Sequence, residues 1–296
     1  MVTPTPEDFR RLYPQIVWHL DQPVATASSI AEFTLARTAR EHVTVVLGGQ
    51  GADELFGGYI RYLLMLEEER LAKMAQLESY QPLMRYFWSP EMFKDPAERY
   101  FHLIRRTHAT DAGLDRVKAF FAPFTHRIDQ MGYCDIQTTL PSLITMNDRG
   151  AAAVGLENRS PFLDHRIVEF AFRLPPELKV SSDFETKSIL RKAARGLVPE
   201  VVRQRKDKKG LVVPFHRWLH HDLRAWAEAH LAALRNRNVT IHEENSRGAF
   251  DRQRYALVTL ELWFRAFIDA QHHELSADLL AERSGRLRRA TLKEGG

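Results

Sequence analysis

The chain has one cysteine, Cys134, in 296 residues. This excludes an intrachain disulfide framework and fits a reducing compartment. No apolar run approaches membrane-spanning length, and Met1-Val2-Thr3-Pro4-Thr5-Pro6 has no signal-peptide hydrophobic core. The expectation is a soluble, cytoplasmic protein with no membrane partner. A GxxxxGK[ST] loop, a GxGxxG fingerprint and a His-Glu-x-x-His pair are all missing. Strong charge is missing too. A formal net charge of +4 suits an anionic substrate without demanding nucleic acid. His216 and His220 have the spacing of a helical metal pair but no third ligand, and read as surface histidines.

What is present is ordinary for a globular protein, with 44% apolar and 27% charged residues. The most informative stretch begins Val43-Thr44-Val45-Val46-Leu47, a β-branched run expected to form a strand buried on both faces. Gly48-Gly49-Gln50-Gly51 follows, then Ala52-Asp53-Glu54-Leu55-Phe56-Gly57-Gly58-Tyr59. The glycines remove side chains from the backbone and permit positive φ, so N–H groups can converge on an anion. Asp53 and Glu54 suit the positive end of a helix, and could instead hold a hard cation such as Mg²⁺. A plain strand-to-helix turn with an N-capping Asp and no ligand fits the same residues.

Around this stretch the pattern is helical. Pro6-Glu7-Asp8 opens a helix with Phe9, Leu12, Ile16, Val17 and Leu20 inward, broken at Asp21-Gln22-Pro23. Ser28 or Ser29 can cap the next. Residues 61–131 read as short helices, with Tyr86-Phe87-Trp88 more readily packed than stacked on a base. Asp135 can cap a helix through Ile136, Leu140, Leu143 and Ile144, and Asp164 punctuates another after Pro161. Asp183 can cap a helix with Lys187 and Arg191 on one face. A basic run follows at 203–209, and 283–289 is a second; both read as solvated, with a nucleic-acid-binding module as a competing reading. Leu257, Leu260, Trp263, Phe264 and Phe267 read as one buried helical face.

Three strings together are restrictive: Gly-Gln-Gly-Ala-Asp-Glu-Leu-Phe-Gly-Gly-Tyr at 49–59, Leu-Glu-Asn-Arg-Ser-Pro-Phe-Leu-Asp at 156–164 after Asp148-Arg149, and Lys187-x-x-Leu190-Arg191 before the basic loop. They resemble, in order, the motifs of the asparagine synthetase family of ATP-dependent amidotransferases, which includes β-lactam-forming members. The resemblance covers about residues 7–62 and 135–218. It implies an α/β, predominantly helical fold with few strands, corresponding to the C-terminal part of an adenine-nucleotide α-hydrolase-like (PP-loop ATP pyrophosphatase) domain. The expected division is 1–234 for the partial synthetase domain, with a helical insertion at 63–134, and 235–296 for a helical extension.

The implied chemistry is adenylation of a carboxylate, aspartate or similar, then attack by ammonia, with ATP and Mg²⁺ as cofactors. Gly48, Gly49 and Gly51 would line the pyrophosphate side, Asp53 would hold Mg²⁺, and Lys187 would contact phosphates. Arg191 would support Lys187 or pair with a local acid. Asp148 is the candidate that positions or deprotonates the nucleophile, and Glu157 and Arg159 would brace the site as an ion pair. Gln50 stands where the family carries an acidic residue or Tyr, and an amide cannot take up a proton at physiological pH. The family's Ser-Gly-Gly-x-Asp-Ser loop and its nucleophilic Cys after the initiator Met have no counterpart here. The expectation is therefore a partner segment or a separate chain that carries the PP-loop and glutaminase. A non-catalytic remnant or regulatory partner, or a lactam-forming relative, stands as the alternative.

Overall fold

The computed structural model describes residues 2–23, 28–66, 95–105, 111–206, 210–211, 213–237, 239 and 252–269. The expectations for Tyr86-Phe87-Trp88, for residues 207–209 and for 283–289 lie outside the described residues. In chain order come α1 (Pro6–Leu20), α2 (Ser29–Arg40), β1 (Val45–Leu47), α3 (Ala52–Phe56), α4 (Ile60–Leu66), α5 (Pro96–Ile104), α6 (Asp111–Phe121), α7 (Arg127–Thr138) and α8 (Leu140–Ala152). Then follow β2 (Glu157–Arg159), α9 (His165–Arg173), α10 (Pro176–Lys179), α11 (Ser188–Ala193), α12 (Glu200–Arg203), α13 (Phe215–Arg217), a π turn (Trp218–Asp222), α14 (Arg224–Arg235) and α15 (Arg252–Phe267). The described chain is predominantly helical, with few strands.

The chain separates into two compact units. The first comprises Met1–Thr44, Met146–Leu156 and Leu211–Gly296. Its first helix starts where expected because Thr5 and Asp8 form a reciprocal capping box, and it ends with Asp21 in the left-handed region. The apolar stripe of α1 is buried as its spacing predicts. Phe9 stacks on Tyr13 at 4.5 Å and also meets Trp218 and Tyr255, while the Tyr13 hydroxyl lies 2.7 Å from Thr259 Oγ1. Ser28 occupies the N-cap position of α2, yet its side chain makes no capping bond.

On α15 the inward residues are Tyr255, Val258, Thr259, Leu262 and Ala266. The expected face of Leu257, Leu260, Trp263, Phe264 and Phe267 is thus rotated away from the core. The reason is that Glu261, a charge placed outward by the sequence pattern, is fully buried between Arg237 and Arg265.

The second unit comprises Val45–Thr145 and Glu157–Gly210. Its two strands pair in parallel, Val45 with Glu157, Val46 with Asn158 and Leu47 with Arg159. The expectation of a strand buried on both faces is corrected: Val45 is 40% and Leu47 is 74% exposed. Its only neighbour among the described residues is β2.

Asp135 does not cap a helix. It sits within α7, fully buried, where Tyr62 Oη donates to its carboxylate at 2.6 Å and Arg61 pairs with it. Asp183 likewise caps nothing; Lys187 holds the N-cap position of α11. Cys134 is buried in the same core, and that burial pushes its thiol up to about 12. No described helix is long and apolar enough to cross a membrane.

Candidate functional site

The glycine corner follows directly from β1. Gly48 N–H donates to Arg159 O at 2.7 Å, so this amide extends the sheet rather than facing an anion. Only Gly51 of the first three glycines has positive φ, at 90°, as N-cap of α3. A Cβ there would come within 2.3 Å of Leu163 Cδ2, so both conformation and space demand glycine. Gly49, by contrast, is open: an added Cβ would meet nothing within 4 Å. Gln50 is half-buried in the turn between them.

Asp53 lies in the first turn of α3, as the sequence predicts. Gly58 folds back against it, its N–H donating to Asp53 O at 2.8 Å, and a Cβ on Gly58 would sit 1.8 Å from Asp53 Oδ1. The carboxylate therefore occupies the volume that a side chain at 58 would need.

Lys187 reaches the same place from the other end of the unit. Its N–H donates to Phe56 O, the last residue of α3, at 3.2 Å. Its backbone is left-handed at φ 54°, which turns its side chain out of the α11 series. A non-glycine residue held there costs on the order of 1 kcal/mol. The result is an ion pair, Lys187 Nζ to Asp53 Oδ1 at 3.0 Å, with each side chain about a quarter exposed (28% and 25%).

Arg191 bonds backbone carbonyls on both sides of the basic loop's start. Its guanidinium donates to the carbonyls of Thr186 and Arg205 at 3.0 Å, and to that of Arg203. It ties the start of the basic loop to α11. Glu157 and Arg159 do form an ion pair, at 2.7 Å, but across the exposed face of β2. Asp148 belongs to the first unit, where it is exposed on α8 beside Arg149, which pairs with Asp21.

Asn158 and Ser188 carry signals that sequence reading missed, and Glu54, named there with Asp53, turns out to be buried. Asn158 stands in the middle of β2 with Oδ1 buried and without a hydrogen-bond partner, 2.9 Å from where a Cβ on Gly48 would lie. Ser188, next to Lys187, is buried with an unpartnered Oγ. Glu54 is buried behind Asp53. Burial raises its pKa, against the hydrogen bond donated by Tyr59 Oη at 2.6 Å. The string at 51–59 contains both Glu54 and Tyr59, but nothing in it shows that the two are bonded.

A Mg²⁺ ion is usually held by one or two carboxylates, with substrate phosphates and water completing its shell. One accessible carboxylate, Asp53, beside an ammonium and an open glycine backbone fits that pattern. No described group of three or more His, Cys, Asp or Glu forms a self-sufficient metal site.

These features define a largely helical α/β protein whose strand-to-helix corner carries a carboxylate paired with an ammonium. The asparagine synthase family model matches residues 2–270, and the chain belongs to that family. It is 32% identical over 284 residues to glutamine-hydrolyzing asparagine synthetase 1 of Bacillus subtilis, covering 87% of this chain and 43% of that protein. Glutamine-hydrolyzing asparagine synthetase 3 of the same organism is 29% identical over 174 residues, 57% of this chain and 26% of the relative. Amidase chry2 of Gibberella zeae is 24% identical over 247 residues, 68% and 37% of the two chains. The chain spans less than half the length of the curated relatives it matches.

Proposed function

We infer that the chain supplies the pyrophosphate side of an ATP-dependent amide-forming ligase of the asparagine synthetase type. The observation that carries this reading is the Asp53–Lys187 pair at 3.0 Å, in the helix turn that follows the glycine corner. ATP supplies the activation: transfer of AMP to a carboxylate gives its oxygen a good leaving group and frees pyrophosphate. Asp53 would hold Mg²⁺ against the phosphates, and Lys187 would hold the diphosphate by charge-assisted hydrogen bonds. Gly48, Gly49 and Gly51 would line the pyrophosphate side, Gly49 having open space beside it. Arg191 keeps the basic loop in register with Lys187. Asp148 would position the nitrogen nucleophile or take its proton as the amide forms.

The fold is then the C-terminal part of a PP-loop ATP pyrophosphatase domain, with aspartate the favoured carboxylate and ammonia the nitrogen source. Exposed Val45 and Leu47 support further parallel strands beside β1, contributed by polypeptide that carries the Ser-Gly-Gly-x-Asp-Ser loop. That polypeptide belongs to this protein or to a separate chain that also bears the glutaminase. The test is aspartate-dependent pyrophosphate release from ATP, measured for these residues alone and after addition of a segment bearing that loop. Release only in the second case is expected; equal release in both would overturn the dependence.

Gln50 favours a second reading, a regulatory partner that keeps the scaffold without the chemistry, because its amide cannot act as a base. Binding of Mg²⁺–ATP that is weakened by Asp53→Ala would argue against this second reading.

A further inference from the structure

Within the second unit, α3, α7 and α10 touch one another in a ring around the corner. α7 meets α3 at Gly132, where an added Cβ would sit 2.6 Å from Glu54 O. The end of α10 meets the end of α3 at Gly57, where a Cβ would come within 2.7 Å of Val180 Cγ2 and 3.7 Å of Lys179 Cβ. Lys179 joins α10 to α7: its Nζ donates to Asp129 Oδ1 at 2.6 Å. Asp129 lies one turn before Gly132, and both are buried on α7. The ring thus closes on α3, the helix that bears Asp53.

From α10 the chain reaches Lys187 through a loop pinned at several points. Val180 bridges Thr186 in antiparallel fashion, Ser181 N–H donates to Glu185 O at 3.2 Å, and Glu185 N–H donates to Ser181 Oγ at 3.1 Å. Lys187 N–H then donates to Phe56 O. Lys179 and Lys187 therefore flank one short loop, the first ammonium held inside at Asp129 and the second held at Asp53. The inner pair is a poor device for stability alone. Lys179 is only 2% exposed, and charges taken out of water regain little more by pairing than they lose. Apolar residues of similar volume would often stabilise as well. What the charged hydrogen bond adds is a fixed distance and direction between two atoms.

We propose that Lys179 and Asp129 are positioning residues for the corner: by fixing α10 on α7, they set where the 181–186 loop delivers the Lys187 ammonium against Asp53. Neither residue touches a ligand, and their effect on a bound diphosphate passes through Lys187. The pyrophosphate arm of the test rests on the function proposed above, whereas the labelling arm does not.

The main variant is Lys179→Met with Asp129→Leu in the full chain, its folding checked by urea unfolding. Asp129→Asn, which keeps the shape and an acceptor without the charge, is the milder companion. In the first arm, limiting acetic anhydride acylates the lysines and peptide mass spectrometry reads the modification of Lys187. An amine held against a carboxylate is less available to the reagent than a free one. Labelling of Lys187 is expected to rise several-fold in the double variant, to the level of Asp53→Asn, and no further when all three substitutions are combined. Asp129→Asn is expected to give a smaller rise. In the second arm, sodium pyrophosphate with Mg²⁺ is titrated calorimetrically. Lys187→Met is expected to weaken binding about tenfold in the wild type and to add little in the double variant. Labelling of Lys187 that neither variant raises would overturn the proposal, as would full additivity of the pyrophosphate losses. Failure of the wild type to bind pyrophosphate would count against the function proposed above, and the labelling would still decide the positioning.

Discussion

Asp53 and Lys187 meet at 3.0 Å because two backbone decisions coincide. Gly58 leaves room for the carboxylate, and the left-handed turn at Lys187 aims the ammonium at it. Neither device adds much stability, since partly exposed ion pairs contribute about 0–1 kcal/mol. Lys187→Met should therefore shift the unfolding midpoint little while weakening Mg²⁺–pyrophosphate binding at this corner about tenfold or more, as loss of a charged hydrogen bond does. Titration of Asp53→Asn and Lys187→Met, alone and combined, checks this; additive losses would show that the two groups act on different ligands.

The glycines differ in what they tolerate. Gly58→Ala places a methyl 1.8 Å from Asp53 Oδ1 and should cost about 1–3 kcal/mol in urea unfolding, with displacement of the carboxylate. Gly51→Ala adds positive φ to its clash with Leu163 and should be at least as damaging. Gly49→Ala, in open space, should leave stability unchanged. If Gly49→Ala nevertheless weakens Mg²⁺–ATP binding, the ligand passes over that residue; unchanged binding would remove Gly49 from the site.

Glu32 on α2 should make stability depend on pH. Burial pushes its carboxyl up to about 7, a hydrogen bond from Ser28 opposing, and Oε2 has no hydrogen-bond partner. The folded chain thus binds a proton that the unfolded chain releases in the ordinary carboxylate range. Stability contributed by the neutral form is present below that range and is lost as pH rises to about 7. Glu32→Gln should match the wild type in acid and exceed it above about pH 7. Parallel stability curves for the two proteins across this window would refute the assignment.

Lys179 and Asp129 form a buried pair at 2.6 Å, with the ammonium 5.1 Å from the Phe172 ring centre. Asp129→Ala strands a buried charge and should cost about 3–5 kcal/mol. Replacing both, as Lys179→Met with Asp129→Leu, should recover most of that loss. Denaturant unfolding of the single and double variants decides it; a double variant as weak as the single would mean that the pair is needed for something other than charge balance.

Where the sequence was legible, the governing interactions were local. The α1 stripe, the helix start at Pro6-Glu7-Asp8, the helix start at Asp53 and the Asp164 cap all depend on residues within about one turn. Asp135 shows how this fails. An Asp before an apolar-periodic run looks like a cap, but its partners Arg61 and Tyr62 lie 74 and 73 residues away. The face of α15 was misjudged for a similar reason, since the buried Glu261 is paired not only with Arg265 on its own helix but with Arg237, 24 residues earlier. β2 was overlooked because Glu157-Asn158-Arg159 is polar and three residues long; only its register with β1 makes it a strand.

The sequence alone determined the kinship and the helices, because motif strings and 3.6-residue periodicity are properties of neighbouring residues. Tertiary structure decided that Lys187 meets Asp53, that Arg191 serves the loop backbone, and that β1 keeps an exposed apolar face. Those outcomes depend on which distant segments exclude water from each other, and no short window of residues contains that information.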